Sequence, residues 1–250
     1  MKEEKICVLI PAYNCEKSIA TVIASVLRHT PNVLVVNDGS TDATLSIIST
    51  QFENQVVLVS YPQNRGKGYA LKKGFEKARE LGYTAVITID SDGQHSADDI
   101  PKFVRFIQEN PKSLIVGARS FNHPNMPSGN LFANKFSNFW FTVQTANKLP
   151  DTQSGYRLYP IAEMKMLPIT KRYEAEIELL VRSAWRGIPI CSVPISVHYD
   201  PIEERVSHFR PKQDFSRISV LNSCLCILAI IYGYPSIFIH KLIRKLKRKP

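Results

Sequence analysis

The sequence predicts an α/β protein: a mostly parallel sheet with helices on both faces, plus C-terminal membrane-associated helices. Three observations predict it. Short, continuous apolar runs alternate with helical patterns through the first half of the chain, the signature of a sheet buried on both faces. The runs end in polar clusters rich in Asn, Asp and Gly. Near the C-terminus, residues 218–239 carry no charged side chain and lead into a basic tail.

The elements follow in order. Residues 6–10 are a buried strand, and a helical stretch runs from there to about Leu27. Strand 33–36 is followed by helix 41–49, and strand 56–59 by helix 66–81, where Leu71, Phe75 and Ala78 recur at helical spacing. Strand 85–89, helix 97–109 and strand 114–116 complete the regular half. Residues 119–129, with Pro124, Pro127 and Gly129, form a loop. Helix 131–147 comes next. Helix 173–187 is closed by Gly187 and Pro189, and 190–198 is a late strand.

The composition is that of a globular protein, with 44% hydrophobic and 22% charged residues in 250, which excludes fibrous and disordered classes. Five cysteines, odd in number and without a CxxC pair, argue against a disulfide framework or zinc site and for a reducing compartment. Lys241, Arg244, Lys245, Lys247, Arg248 and Lys249 supply six of the net +10 charges. The basic balance therefore belongs to the tail and points to an anionic membrane surface, not to nucleic acid.

The uncharged run is expected to break near Tyr234-Pro235. Residues 218–232 would then span only about 22 Å as a helix, short of a ~30 Å hydrocarbon core. After Pro235, Ile237, Phe238, Leu242, Ile243 and Leu246 alternate with Lys and Arg as in a basic amphipathic helix. These features predict a peripheral or re-entrant pair of helices in residues 218–250, behind a body of residues 1–217.

Four clusters mark the strand ends: Pro11-Ala12-Tyr13-Asn14, Asn37-Asp38-Gly39-Ser40-Thr41-Asp42, Asn64-Arg65-Gly66-Lys67-Gly68 and Asp90-Ser91-Asp92-Gly93-Gln94-His95. In a parallel sheet they converge on one edge, where ligands bind. Asp90 and Asp92, two residues apart on a loop leaving a buried strand, suit one hard divalent cation such as Mg2+ or Mn2+. Such a cation would neutralise charge on a departing diphosphate.

This ordered set, with Gly117-x-Arg119 and Ser154-Gly155-Tyr156-Arg157, resembles family 2 glycosyltransferases of the GT-A fold over about residues 5–200. The nearest branch is that of the polyprenyl-phosphate and dolichyl-phosphate mannosyl- and glucosyltransferases. The resemblance implies a metal-dependent, inverting transfer of a hexose from a UDP- or GDP-sugar to a membrane lipid, polyprenyl phosphate first among them, on the cytoplasmic face of a membrane. It implies that Pro11, Ala12, Tyr13, Asn14, Asp38 and Gly39 border the nucleoside, and that Lys67 and Gly68 approach the nucleotide. Asp90, Asp92 and Gln94 would hold the metal, with Ser91 beside the donor. Arg119 would meet the acceptor phosphate. Ser154, Gly155 and Arg157 would lie near the donor sugar.

Two positions depart from the branch. Asn134 and Lys135 stand where it carries a second Arg, and Ser207-His208 where it carries Ser-Lys; Arg205, His208 and Arg210 would supply positive charge to the diphosphate there. A hydroxyl acceptor, on a glycan or glycolipid, stays open beside the phosphate one. It would need a general base, for which Glu174 and Glu176 are the candidates. A non-catalytic nucleotide-sugar-binding module is the third reading.

Overall fold

The computed structural model describes residues 5–120, 128–198 and 211–247. Strands β1 (Ile6–Ala12), β2 (Val33–Asp38), β3 (Val57–Tyr61), β4 (Ala85–Thr88), β5 (Leu114–Arg119), β6 (Arg157–Tyr159) and β7 (Ile190–Ile195) form a single sheet of order β3-β2-β1-β4-β6-β5-β7. All pairs are parallel except those of β6, which runs antiparallel between β4 and β5.

Alternation along β1 divides the core into two layers. Cys7 and Leu9 point into one, packed with Leu71 and Phe75 of α3 (Lys67–Glu80), Phe141 of α5 (Ser128–Thr145) and Trp185 of α7 (Glu174–Trp185). Val8 and Ile10 point into the other, packed with Ile19 and Ile23 of α1 (Ile19–Leu27), Ile48 of α2 (Thr44–Gln51) and Phe103 of α4 (Ile100–Glu109). The predicted doubly covered sheet is present. Every predicted strand has a counterpart, and β6 and the short α6 (Ile161–Met164) are additions.

The C-terminal segment differs from expectation. α8 (Pro211–Leu228) continues through a π-helical turn, Ala229–Gly233, into α9 (Tyr234–Lys247). Residues Ser216–Leu246 thus form one 31-residue helix, and the expected pair of helices parted at Tyr234-Pro235 is not made. In the wider turn the Tyr234 N–H donates to the carbonyl of Ala229, five residues back. That extra width accommodates a proline ring that an α-helix would reject. The helix is long and apolar enough to cross a membrane by length and composition. One side of it is nevertheless built into the body. Leu225 and Ala229 belong to the core, a Cβ on Gly233 would lie 2.5 Å from the Trp185 indole nitrogen, and Ser236 Oγ donates to the Trp185 carbonyl at 2.6 Å. Farther along, Arg244 donates to the Gly187 carbonyl.

Candidate active site

The polar loops gather at the carboxyl edge of the sheet, as their place after β1, β2 and β4 and before α3 requires. Pro11 and Ala12 are the last residues of β1, buried and in register with Val36 and Asn37. They form the floor of the edge. Tyr13 and Asn14 follow, half-buried. Asn14 latches the first loop to the second: its N–H donates to Ser40 Oγ at 3.1 Å, and its Oδ1 accepts the Thr41 N–H at 2.8 Å.

Asp38 is 3% exposed and serves as a strut. Its two carboxylate oxygens accept the N–H groups of Arg65 (2.7 Å) and Gly66 (2.8 Å), which pins the third loop to the second. Burial raises its pKa, partly offset by these bonds. Gly39 has φ +64° and abuts the backbone of Gln63 and Asn64, so no side chain fits there. The expected nucleoside rim is thus organised by Asp38 from beneath. Asp38→Asn replaces one acceptor by an NH2 facing an N–H. It is expected to lower stability by about 1–3 kcal/mol and to weaken nucleotide binding, measured by urea titration and calorimetry.

At the centre, Lys67 Nζ lies 2.6 Å from Asp90 Oδ1 and 3.2 Å from Glu176 Oε1. Burial would lower the pKa of this ammonium, but the two carboxylates outweigh it and hold it well above the usual lysine value. Burial would likewise raise Asp90; Lys67, then His95, pull it below the ordinary range. His95 is pushed down to about 4, chiefly by burial, and is neutral near pH 7. Asp92 Oδ1 accepts the Gln94 N–H at 3.0 Å, and the Ser91 carbonyl accepts from Ser18 Oγ at 2.6 Å. The Gln94 carbonyl accepts the His198 N–H at 2.8 Å, which brings the end of the late strand beside this loop.

A Cβ on Gly155 would stand 2.6 Å from Asp90 Oδ2 and 2.8 Å from Lys67 Nζ. Gly155 is therefore the close backbone wall of the ion-paired centre. A Cβ on Gly68 would meet Ala175 and the Thr170 carbonyl, each at 2.5 Å, so α3 and α7 meet there without clearance. No group of three His, Cys, Asp or Glu side chains able to enclose a metal ion occurs among the described residues. Asp90, Asp92 and Gln94 carry oxygen atoms, the ligand type that a hard cation takes beside phosphate oxygens and water.

The remaining predicted residues separate into two kinds. Arg119 projects from the end of β5 and is clamped by Asp151, which is fully buried: Nε lies 2.6 Å and Nη2 3.1 Å from its carboxylate oxygens. Burial would raise the Asp151 pKa, but the Arg119 bonds and charge hold it below the ordinary range. Asp151 also accepts the N–H groups of Gln153 and Ser154. The sequence reading missed it. Arg157, expected near the sugar, is instead interior. Its guanidinium donates to the carbonyls of Ser154 (2.7 Å), Thr152 (2.8 Å) and Glu176 (2.6 Å). Ser154 is buried with it, its Oγ accepting the Tyr156 N–H.

Of the glutamates on α7, Glu176 joins Lys67, whereas Glu178 is structural, pairing with Arg182 and accepting the Ile169 and Thr170 N–H groups. Glu174 Oε2 is buried without a hydrogen-bond partner. Asn134 is buried, its Nδ2 3.5 Å from the Pro150 carbonyl, while Lys135 is exposed. Arg205, His208 and Arg210 lie outside the described residues.

The chain is 33% identical over 220 residues to the UDP-N-acetylglucosamine–dolichyl-phosphate N-acetylglucosaminyltransferase of Methanococcus voltae, covering 80% of this chain and 88% of the relative. It is 24% identical to the polyprenol monophosphomannose synthase of Mycolicibacterium smegmatis, covering 77% of each. Among solved structures, glucosyl-3-phosphoglycerate synthase from Mycobacterium tuberculosis, crystallised with Mn2+, UDP and phosphoglyceric acid, superposes with a TM-score of 0.66. That match covers 90% of this chain and 78% of the other at 21% identity, and it bears on the fold alone. The model of glycosyl transferase family 2 matches residues 7–159, which include all four polar loops, and the chain belongs to that family.

Proposed function

We propose that the protein transfers a hexose, or a hexosamine, from a nucleoside-diphosphate sugar to a polyprenyl phosphate, with inversion, at the cytoplasmic face of a membrane. The observation that carries this reading is the placement of two oppositely organised centres on one sheet edge. The Asp90–Asp92 loop ends β4 and offers oxygen ligands. Arg119 ends β5 and is held by the buried Asp151. The M. voltae and M. smegmatis relatives act, by their names, on dolichyl and polyprenol phosphates.

When bound, Mg2+ or Mn2+ would supply charge neutralisation for the leaving diphosphate, held by Asp90, Asp92 and Gln94. Asp38 and Asn14 brace the loops that take the nucleoside. The Arg119 guanidinium orients the acceptor phosphate. A phosphate oxygen is already ionised near neutral pH, so it attacks the anomeric carbon without a base, from the face opposite the diphosphate. The C-terminal helix rests on α7 and α5 along one side and bears Lys and Arg at its end. That supports an in-plane position, with residues 1–217 carrying catalysis and 218–250 on the lipid surface.

The test is an assay of purified protein with UDP- and GDP-sugars, Mn2+ or Mg2+, and prenyl phosphate beside the matching prenol. Product mass and anomeric configuration are read out. Turnover of the phosphate alone is expected, and Arg119→Ala should raise the KM for it by roughly 10–100-fold, the scale of a lost charge-assisted contact. Turnover of the prenol that vanishes in Glu174→Gln would establish the hydroxyl acceptor instead.

A further inference from the structure

α5 is built inside out. Its inward face carries Asn134, Ser137, Gln144 and Thr145 along with Phe141, all buried. Its outward face carries Leu131, Phe132, Phe139 and Val143. Phe132, Phe136, Phe139 and Val143 follow one another at steps of four, three and four, a single helical stripe. Phe132 is 68% exposed and Phe139 58%. The rings form a ladder: Phe132 stacks on Phe136 at 6.3 Å, and Trp140 meets Phe136 and Phe139 edge-on at 6.0 and 5.3 Å. A helix facing water carries the opposite pattern.

We infer that this face of α5 inserts into the headgroup–acyl boundary of an anionic lipid layer and, with the C-terminal helix, forms one membrane-docking surface. Two further observations specify lipid as the occupant. The C-terminal helix exposes a matching stripe of Val220, Ile227, Ile231 and Phe238. It joins α5 directly, through Tyr234 OH donating to the Val143 carbonyl and Gln144 Nε2 to Asn222 Oδ1 at 3.1 Å. Moreover, neither residues 110–150 nor residues 215–250 contain an acid. These are the two longest acid-free segments of the chain, and the helices they carry lie side by side, which suits a negatively charged interface.

The inference rests on the lipid-phosphate reading and deepens it. Asn134 and Asn138 of α5 both donate to the Pro150 carbonyl, next to the Asp151 that clamps Arg119. Seating α5 in the interface therefore sets the depth of Arg119 relative to lipid phosphates.

The experiment compares the full chain with Phe132→Ser/Phe139→Ser. Co-sedimentation with phosphatidylglycerol–phosphatidylethanolamine vesicles is read beside turnover of a water-soluble short prenyl phosphate and of a long-chain one in the same vesicles. The double variant should partition into vesicles about tenfold more weakly or worse. Its KM for the embedded acceptor should rise in parallel, while turnover of the soluble acceptor stays within about twofold, as for an exposed substitution. Unchanged partition, absence of vesicle binding by the parent chain, or a parent dimer dissolved by the substitutions in sedimentation equilibrium would each overturn it. If the parent turns over neither acceptor yet the partition loss is seen, the docking surface stands and the assigned reaction fails.

Discussion

Asp92→Asn is expected to lower kcat by roughly 10²–10³-fold, the cost of removing one preorganised group that stabilises developing charge. The substitution is nearly isosteric. The side-chain carbonyl of Asn can still accept the Gln94 N–H that Asp92 accepts at 3.0 Å, so the turn persists and the loss reports charge. Asp90 is a poorer choice for this test, because its Oδ1 is bound to Lys67 at 2.6 Å and its removal would leave a buried ammonium with Glu176 alone. Turnover should be measured beside Mn2+ affinity by water-proton relaxation, and both should fall. Activity close to that of the parent would remove Asp92 from the reaction.

The largest effect on stability is expected at Arg157. Arg157→Met leaves the carbonyls of Ser154, Thr152 and Glu176 without their donors in a site with no access to water. Each orphaned buried acceptor costs about 1–3 kcal/mol, and a total near 3–5 kcal/mol is a large share of the ~5–15 kcal/mol that holds a domain folded. The urea midpoint should fall accordingly. Arg157→Lys should recover only part of it, since one ammonium cannot reproduce a planar fork aimed at three carbonyls. Activity should track the folded fraction, as expected of a positioning residue. If Arg157→Met kept the parent's stability and lost turnover outright, Arg157 would belong to the chemistry.

How much of this was legible in the sequence depends on what kind of force placed each group. β1 to β5 and β7 could be read because burial on both faces imposes continuous apolar runs such as Val33–Asp38, whose first four residues are aliphatic. β6 could not. It is three residues long, begins on a buried arginine, and is specified by pairing with Thr88 and Val116 on either side. Asp38, Asp90 and Arg119 were chosen by type and order; the structure places them at one sheet edge, where Asp38 supports the loops from below. Asp151 escaped notice because a single Asp before a Ser-Gly motif gives no sign that an arginine 32 positions earlier will fold onto it. α5 was placed correctly as a helix, but its orientation was hidden. Periodicity shows two faces, and only the partners of Asn134 and Gln144 reveal that the polar one turns inward. At Pro235 the rule that proline ends a helix was overridden by a wider turn.

The antiparallel strand between β4 and β5 acts as a spacer bar. It separates the end of β4, where Asp90 and Asp92 sit, from the end of β5, where Arg119 sits, by two interstrand steps, about 9.5 Å. In the reaction proposed above, the donor sugar would lie between these two strand ends. Backbone hydrogen bonds fix the spacing of the strand ends themselves. Beneath them, just before β6, Gly155 leaves no room for a side chain beside Asp90. In the proposed reaction the fixed spacing of the strands would favour a donor with a single ring between the two centres.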